Sequence, residues 1–165
     1  MIKEQEVERW ISEEFRQLLP VLVWKNQDGE YEAFGRYRIV RERRGYTVFC
    51  NDSEQGVFNS TRSAISYCIA DKYKNYNLAR DIQNLDSMLG NITNDIFVRA
   101  GVAHKTRDPV LKENIETKLE SKILHKKALE IQLNNCVNWA KYLQQKGFEH
   151  ETSRSGHATT IKTNR

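Results

Sequence analysis

The sequence predicts an α+β protein: an N-terminal helix, a small antiparallel meander of three to four strands, and a long antiparallel helical hairpin. Three observations carry that reading. Apolar residues near the N-terminus recur at spacings of three and four, and residues 31–40 alternate. From Leu78 onward the three-and-four spacing returns and is sustained over many turns. Two prolines and eight glycines among 165 residues favour long helices over a loop-rich sandwich.

The first helix is expected over residues 3–19. Val7, Trp10, Ile11, Phe15, Leu18 and Leu19 fall on one stripe, and Glu4, Glu6 and Glu8 suit the positive end of its dipole. Pro20 ends it, because the residue before a proline is pushed out of the helical region. Val21 to Trp24 reads as a short strand, and Asn26-Gln27-Asp28-Gly29 as a turn closing on the Asp-Gly pair of tight hairpins. Over Tyr31 to Val40 the alternation puts Tyr31, Ala33, Tyr37 and Ile39 on one face, with Glu32, Arg36 and Arg38 on the other. Turns at residues 41–45 and 51–56 flank a strand over Tyr46 to Cys50, and Val57-Phe58 is a short last strand.

Asn59 or Ser60 can cap the next helix. Leu78, Ile82, Leu85, Leu89, Ile92 and Ile96 form a coiled-coil seam that crosses Gly90 without slipping, so one helix of roughly 40 residues is expected, ending at Gly101. Asp108-Pro109 is a restart signal, a capping carboxylate followed by proline at the first helical position. Ile115, Leu119, Ile123, Leu129, Leu133, Cys136, Ala140 and Leu143 mark the second long helix, closed by Gly147. Two helices of about 60 Å, so joined, must fold back on one another. A loop centred near His104 sets Cys136 against Tyr73, Trp139 against Ala70 and Leu143 against Ser66. Tyr67, Cys68, Ile69, Trp139 and Tyr142 should then gather in one core with the sheet. The organisation expected is a single domain over 1–148, with helix and sheet over 1–59 and the hairpin arm over 60–148, then a polar flexible tail over 149–165.

Composition bounds the function classes. Mean hydropathy is −0.72, and no window approaches the roughly 18 apolar residues of a membrane helix, so no membrane role is expected. Acidic residues stand where a signal peptide would carry its basic region, which argues against secretion. Cys50, Cys68 and Cys136 lack C-x-x-C spacing and read as buried thiols. His104, His125, His150 and His157 include no i, i+4 pair, so no metal site is expected. Gly101 to Thr106 lacks both the second glycine and the preceding strand of a phosphate loop. Neither a catalytic residue nor a cofactor is expected, and a non-enzymatic protein is the reading.

Net charge is +4 but uneven. Residues 1–30 carry four basic and seven acidic side chains, whereas residues 101–165 carry twelve and seven. Arg36, Arg38, Arg41, Arg43 and Arg44 cluster around one strand and its turn, with Phe34, Thr47 and Phe49 on the same sheet. Guanidinium groups on a sheet face can pair with phosphates, so these five are candidate nucleic-acid contacts. Strands followed by a helix, with Gly35-Arg36-Tyr37-Arg38, resemble the ethylene-response-factor type of DNA-binding domain and the arm-binding domains of integrases. That resemblance implies a nucleic-acid-binding accessory protein.

A second resemblance covers more of the chain. Phe34 to Ile39, Gly56 to Arg62, Cys68 to Tyr73, and Lys118 to Lys122 leading to Val137 to Tyr142 resemble small uncharacterised proteins of contractile-tailed phages of marine cyanobacteria. It spans residues about 31–148 and implies a virion component or an accessory factor in the host cytoplasm. The favoured function is therefore a phage assembly or accessory protein. Its hairpin should contact a phage or host protein, or a second copy, through Leu85, Leu89, Ile92, Ile96, Ile115 and Leu119.

Overall fold

The computed structural model describes residues 23–25 and 30–164, with side chains over 30–147. The helix expected over 3–19 and the turn at Asn26 to Gly29 lie outside the described residues. The fold is α+β. Four strands, β2 (Tyr31–Ala33), β3 (Tyr37–Glu42), β4 (Gly45–Cys50) and β5 (Ser53–Phe58), form an antiparallel meander, and β1 (Val23–Lys25) pairs with the β2 edge. Three helices follow: α1 (Thr61–Lys72), α2 (Tyr76–Lys105) and α3 (Pro109–Asn164).

The alternation holds, since Tyr31, Ala33, Tyr37 and Ile39 are all buried. What was expected as one strand is two. Phe34 and Gly35 adopt φ of 56° and 71°, and Arg36 donates its N–H back to the Ala33 carbonyl, closing a turn. Tyr31 then pairs with Ile39 and Ala33 with Tyr37, so both strands keep the same face inward. The turn after β4 is also tighter than expected. Asn51 and Asp52 take φ of 50° and 67°, the primed geometry that suits strand twist, and β5 begins at Ser53.

Ser60 caps α1, its hydroxyl accepting from the Ser63 N–H at 3.1 Å. The single 40-residue helix is interrupted. Lys74 adopts φ of 59°, the left-handed conformation that ends helices, and Asn75 caps α2 by accepting from the Leu78 N–H. The seam starts only at Leu78, so its periodicity carries no information about the preceding turn. Gly90 does lie within a continuous helix, as expected. Its reason is close approach: a Cβ there would clash with Nδ2 of Asn59. That amide donates to the Asp86 carbonyl at 2.9 Å, and the Asn59 N–H donates to the Asp86 carboxylate at 2.8 Å. Asp86 is buried, and desolvation holds its carboxyl above the usual carboxylate range.

The end of α2 also differs from expectation. The helix runs through Gly101 to Lys105, and Thr106 folds its N–H onto the Val102 and Ala103 carbonyls. The restart is as expected: the Asp108 carboxylate accepts from the Val110 N–H at 3.0 Å, and Pro109 opens α3. With only residues 106–108 between the helices, the register moves by about two turns. Lys122 Nζ meets Asp95 Oδ2 at 2.5 Å, and Cys136 shares a groove with Asp81 and Leu85 instead of facing Tyr73. Tyr73 lies against Gly147, where a Cβ would clash with its ring. That glycine makes room at a crossing and does not close the helix, whose backbone runs on to Asn164, through the segment expected as a flexible tail.

The core gathers β2–β5, α1 and the sheet-proximal part of the long helices. Tyr67, Cys68 and Ile69 belong to it, joined by Phe58, Ile65, Ile82, Val137 and Ala140. Trp139 and Tyr142 do not. They stack on one another at 5.2 Å and stand half-exposed, because the face of α3 turned inward carries Leu133, Val137, Ala140 and Gln144. Tyr37 donates its hydroxyl to Asp71, tying β3 to α1.

Two outcomes check this packing. Gly90→Ala gains about 1 kcal/mol of helix propensity in isolation, yet should lower the unfolding free energy, because the new methyl displaces Asn59; denaturant titration decides the sign. Asp81→Cys should form a disulfide with native Cys136 under mild oxidation, whereas Tyr73→Cys should not, as read by mass mapping.

Candidate interaction surfaces

Two surfaces were singled out by sequence, and the structure treats them differently. The six hairpin residues lie along the seam between α2 and α3. Ile92 is buried, and Leu85, Leu89, Ile96, Ile115 and Leu119 are half-buried. Heptad spacing brings such residues together within one chain before it offers them to another. Asp95 supports the same seam, with Lys122 and Arg99 holding its carboxyl below the usual range.

The apolar side chains that meet solvent are others. At the end of the helical pair remote from the sheet, Phe97 is 79% exposed and Val110 69%, with Val98, Val102 and Leu111 around half. They occupy the last turns of α2 and the first turn of α3. Sequence periodicity does not find them, because they lie off the seam. The usable signal is a Phe-Val pair and a Val-Leu pair flanking the loop, where solvated helix ends ordinarily carry polar residues.

The arginine cluster is brought onto β3 and its turn, but interleaved with acids. Arg44 lies 2.9 Å from Glu54 and 3.7 Å from Glu42, and the Glu54 hydrogen bond raises its pKa further. Arg38 approaches Glu30 at 3.6 Å and covers the Phe49 ring at 5.0 Å. Arg36 lies over Tyr37, while Arg41 and Arg43 are exposed. The aromatic and hydroxyl residues beside them are largely committed. Phe34 packs edge-on against Tyr37 and Tyr73 under the Lys72 ammonium, and Thr47 is fully buried.

Among the described residues no group of three His, Cys, Asp or Glu side chains could hold a metal ion. Cys50, Cys68 and Cys136 are free thiols, and burial pushes the Cys68 thiol well up, away from nucleophilic reactivity. No helix among the described residues is long and apolar enough to cross a membrane.

The ion pairs set a limit on phosphate binding. With Arg38 and Arg44 held by Glu30 and Glu54, phosphate binding through all five arginines would have to break at least those two ion pairs. Duplex DNA affinity should fall against log salt with a slope no steeper than roughly −3; a slope above about 4 in magnitude would show that the acids release both arginines. No family model matches the chain, and no curated protein or solved structure matches it.

Proposed function

We propose that this is a non-enzymatic assembly or accessory protein that works through a helical hairpin, docking a partner protein at the hairpin's far end. The observation that supports it is the group of exposed apolar side chains around Phe97 and Val110. Helix α2 alone is 30 residues, about 45 Å, so this group is set far along the helices from the α1 end that packs with the sheet. Exposed apolar area of this kind is worth roughly 25 cal/mol per Å² on burial, and contiguous patches mark contact sites. Ala103 is buried amid these exposed residues, and Thr106 ends α2 by donating its N–H to the Val102 and Ala103 carbonyls.

The resemblance in residues about 31–148 supplies the setting: a contractile-tailed phage, with the protein in the virion or in the host cytoplasm. The arginine-bearing sheet is a weaker candidate, since its acids neutralise much of its field.

A photoreactive side chain placed at Phe97 should give one discrete protein adduct in infected cells, and Val110→Asp should abolish it. Both positions are solvent-exposed, so each substitution should change stability by no more than about 0.5 kcal/mol. Nucleic-acid adducts from the same probe at Arg43, with none at Phe97, would reverse the assignment of surfaces.

A further inference from the structure

Helix α3 carries a second periodic stripe, exposed along its length, of which Asn135 also lines the groove toward α2. Starting at Val110 and stepping four, three, four, three residues to Tyr142, every position is exposed. None is charged, although eleven lysines and glutamates lie between Pro109 and Gly147. In heptad terms the a positions are Asn114, Ser121, Ala128, Asn135 and Tyr142, and the d positions are Val110, Thr117, Leu124, Ile131 and Asn138. Leu124 and Ile131 are 66% and 63% exposed, which costs solvation for a monomer.

We propose that two copies of this chain pair through that stripe, α3 against α3, parallel and in register. The inference rests on reading the helical hairpin as a binding arm, and adds the identity of one partner. Flanking charges choose the occupant and the direction. In a parallel pair each g residue faces the e residue five positions on in the other copy. Glu113 then meets Lys118, and Glu120 meets His125, each twice by symmetry. Of the remaining g–e pairs, Lys127 with Gln132 and Asn134 with Trp139 contain no like charges, and the one like-charge pair, Lys141 with Lys146, falls at the end of the stripe. Among the described residues Glu113, Lys118 and Glu120 make no ion pair within the chain. An antiparallel pair centred on the same stripe would set Lys127 against its own counterpart. Asparagines at a positions add to the parallel choice, since facing a-position asparagines pair with each other only in register.

Sedimentation of the full chain should show a dimer of twice 19.4 kDa in equilibrium with monomer. Ile131→Asp and Leu124→Lys should each raise the dissociation constant at least tenfold with helix content unchanged, because both side chains are exposed. Glu113→Lys should weaken the dimer severalfold, and adding Lys118→Glu should restore it. Thr117→Cys should give an intermolecular disulfide mapped to position 117; antiparallel pairing would hold those positions about 27 Å apart and give none. A chain that stays monomeric at about 1 mM, a dimer indifferent to both stripe substitutions, or no crosslink at position 117 overturns the proposal. If Phe97→Asp alone dissolves the dimer, self-association belongs to the far end of the hairpin; this proposal then fails while the binding-arm reading stands.

Discussion

Asn59 and Asp86 make the contact on which the arrangement of sheet and helices depends. Asn59 follows β5 and precedes the capping Ser60, and Asp86 sits in the middle of α2. One asparagine supplies both its backbone and side-chain N–H to the carboxylate and carbonyl of a single aspartate. A carboxylate this buried is tolerated because those donors meet it, and removing them would leave a charged group desolvated. The contact fixes where α2 crosses the sheet's exit, and Ile82, one turn before, enters the core as a consequence. It also dictates glycine at position 90, one turn after.

Much of the fold was legible because binary pattern and capping chemistry are local. The parity of Tyr31, Ala33, Tyr37 and Ile39 identified the inward face of the sheet even though a turn interrupts it. Asp108-Pro109 and the choice of Asn59 or Ser60 marked two helix starts from local hydrogen-bonding needs, and Ser60 proved to be the cap. What escaped was set by backbone geometry or by contacts distant in sequence. Nothing about the lysine side chain at position 74 announces a left-handed φ, and Gly90 and Gly147 acquire their meaning from Asn59 and Tyr73. The register slipped because a loop three residues long replaced the longer one expected, and an error in the loop carries along the whole helical pair. The half-exposure of Trp139 and Tyr142 is a matter of face and not of register, since Leu133, Val137, Ala140 and Gln144 take the inward side of α3.

The candidate site divides along the same line. Periodicity singled out Leu85, Leu89, Ile92, Ile96, Ile115 and Leu119, which are buried or half-buried, but a seam inside one chain and a seam between chains have the same spelling. Exposure separates them. It turns attention to Phe97 and Val110 at one end and to the uncharged stripe of α3 along the side. The arginines teach the complementary lesson: five cationic side chains count for less once Glu30, Glu42 and Glu54 are found between them.

The order of the strands bears on how the chain reaches this state. Among the described residues every sheet pairing joins neighbours in sequence, and the two long helices are joined by three residues. Such closures are short, and contacts of low sequence separation form fast, in microseconds to milliseconds for helical and meander units. The far-reaching link is α1 to α3, where Arg62 bonds Asn134 across 72 positions. That docking must wait for both helices and for the turn between α1 and α2. The rate-limiting event on the way to the native state is therefore expected there, late, with sheet and helices already formed and Val137 and Ala140 the last core residues to lose their water.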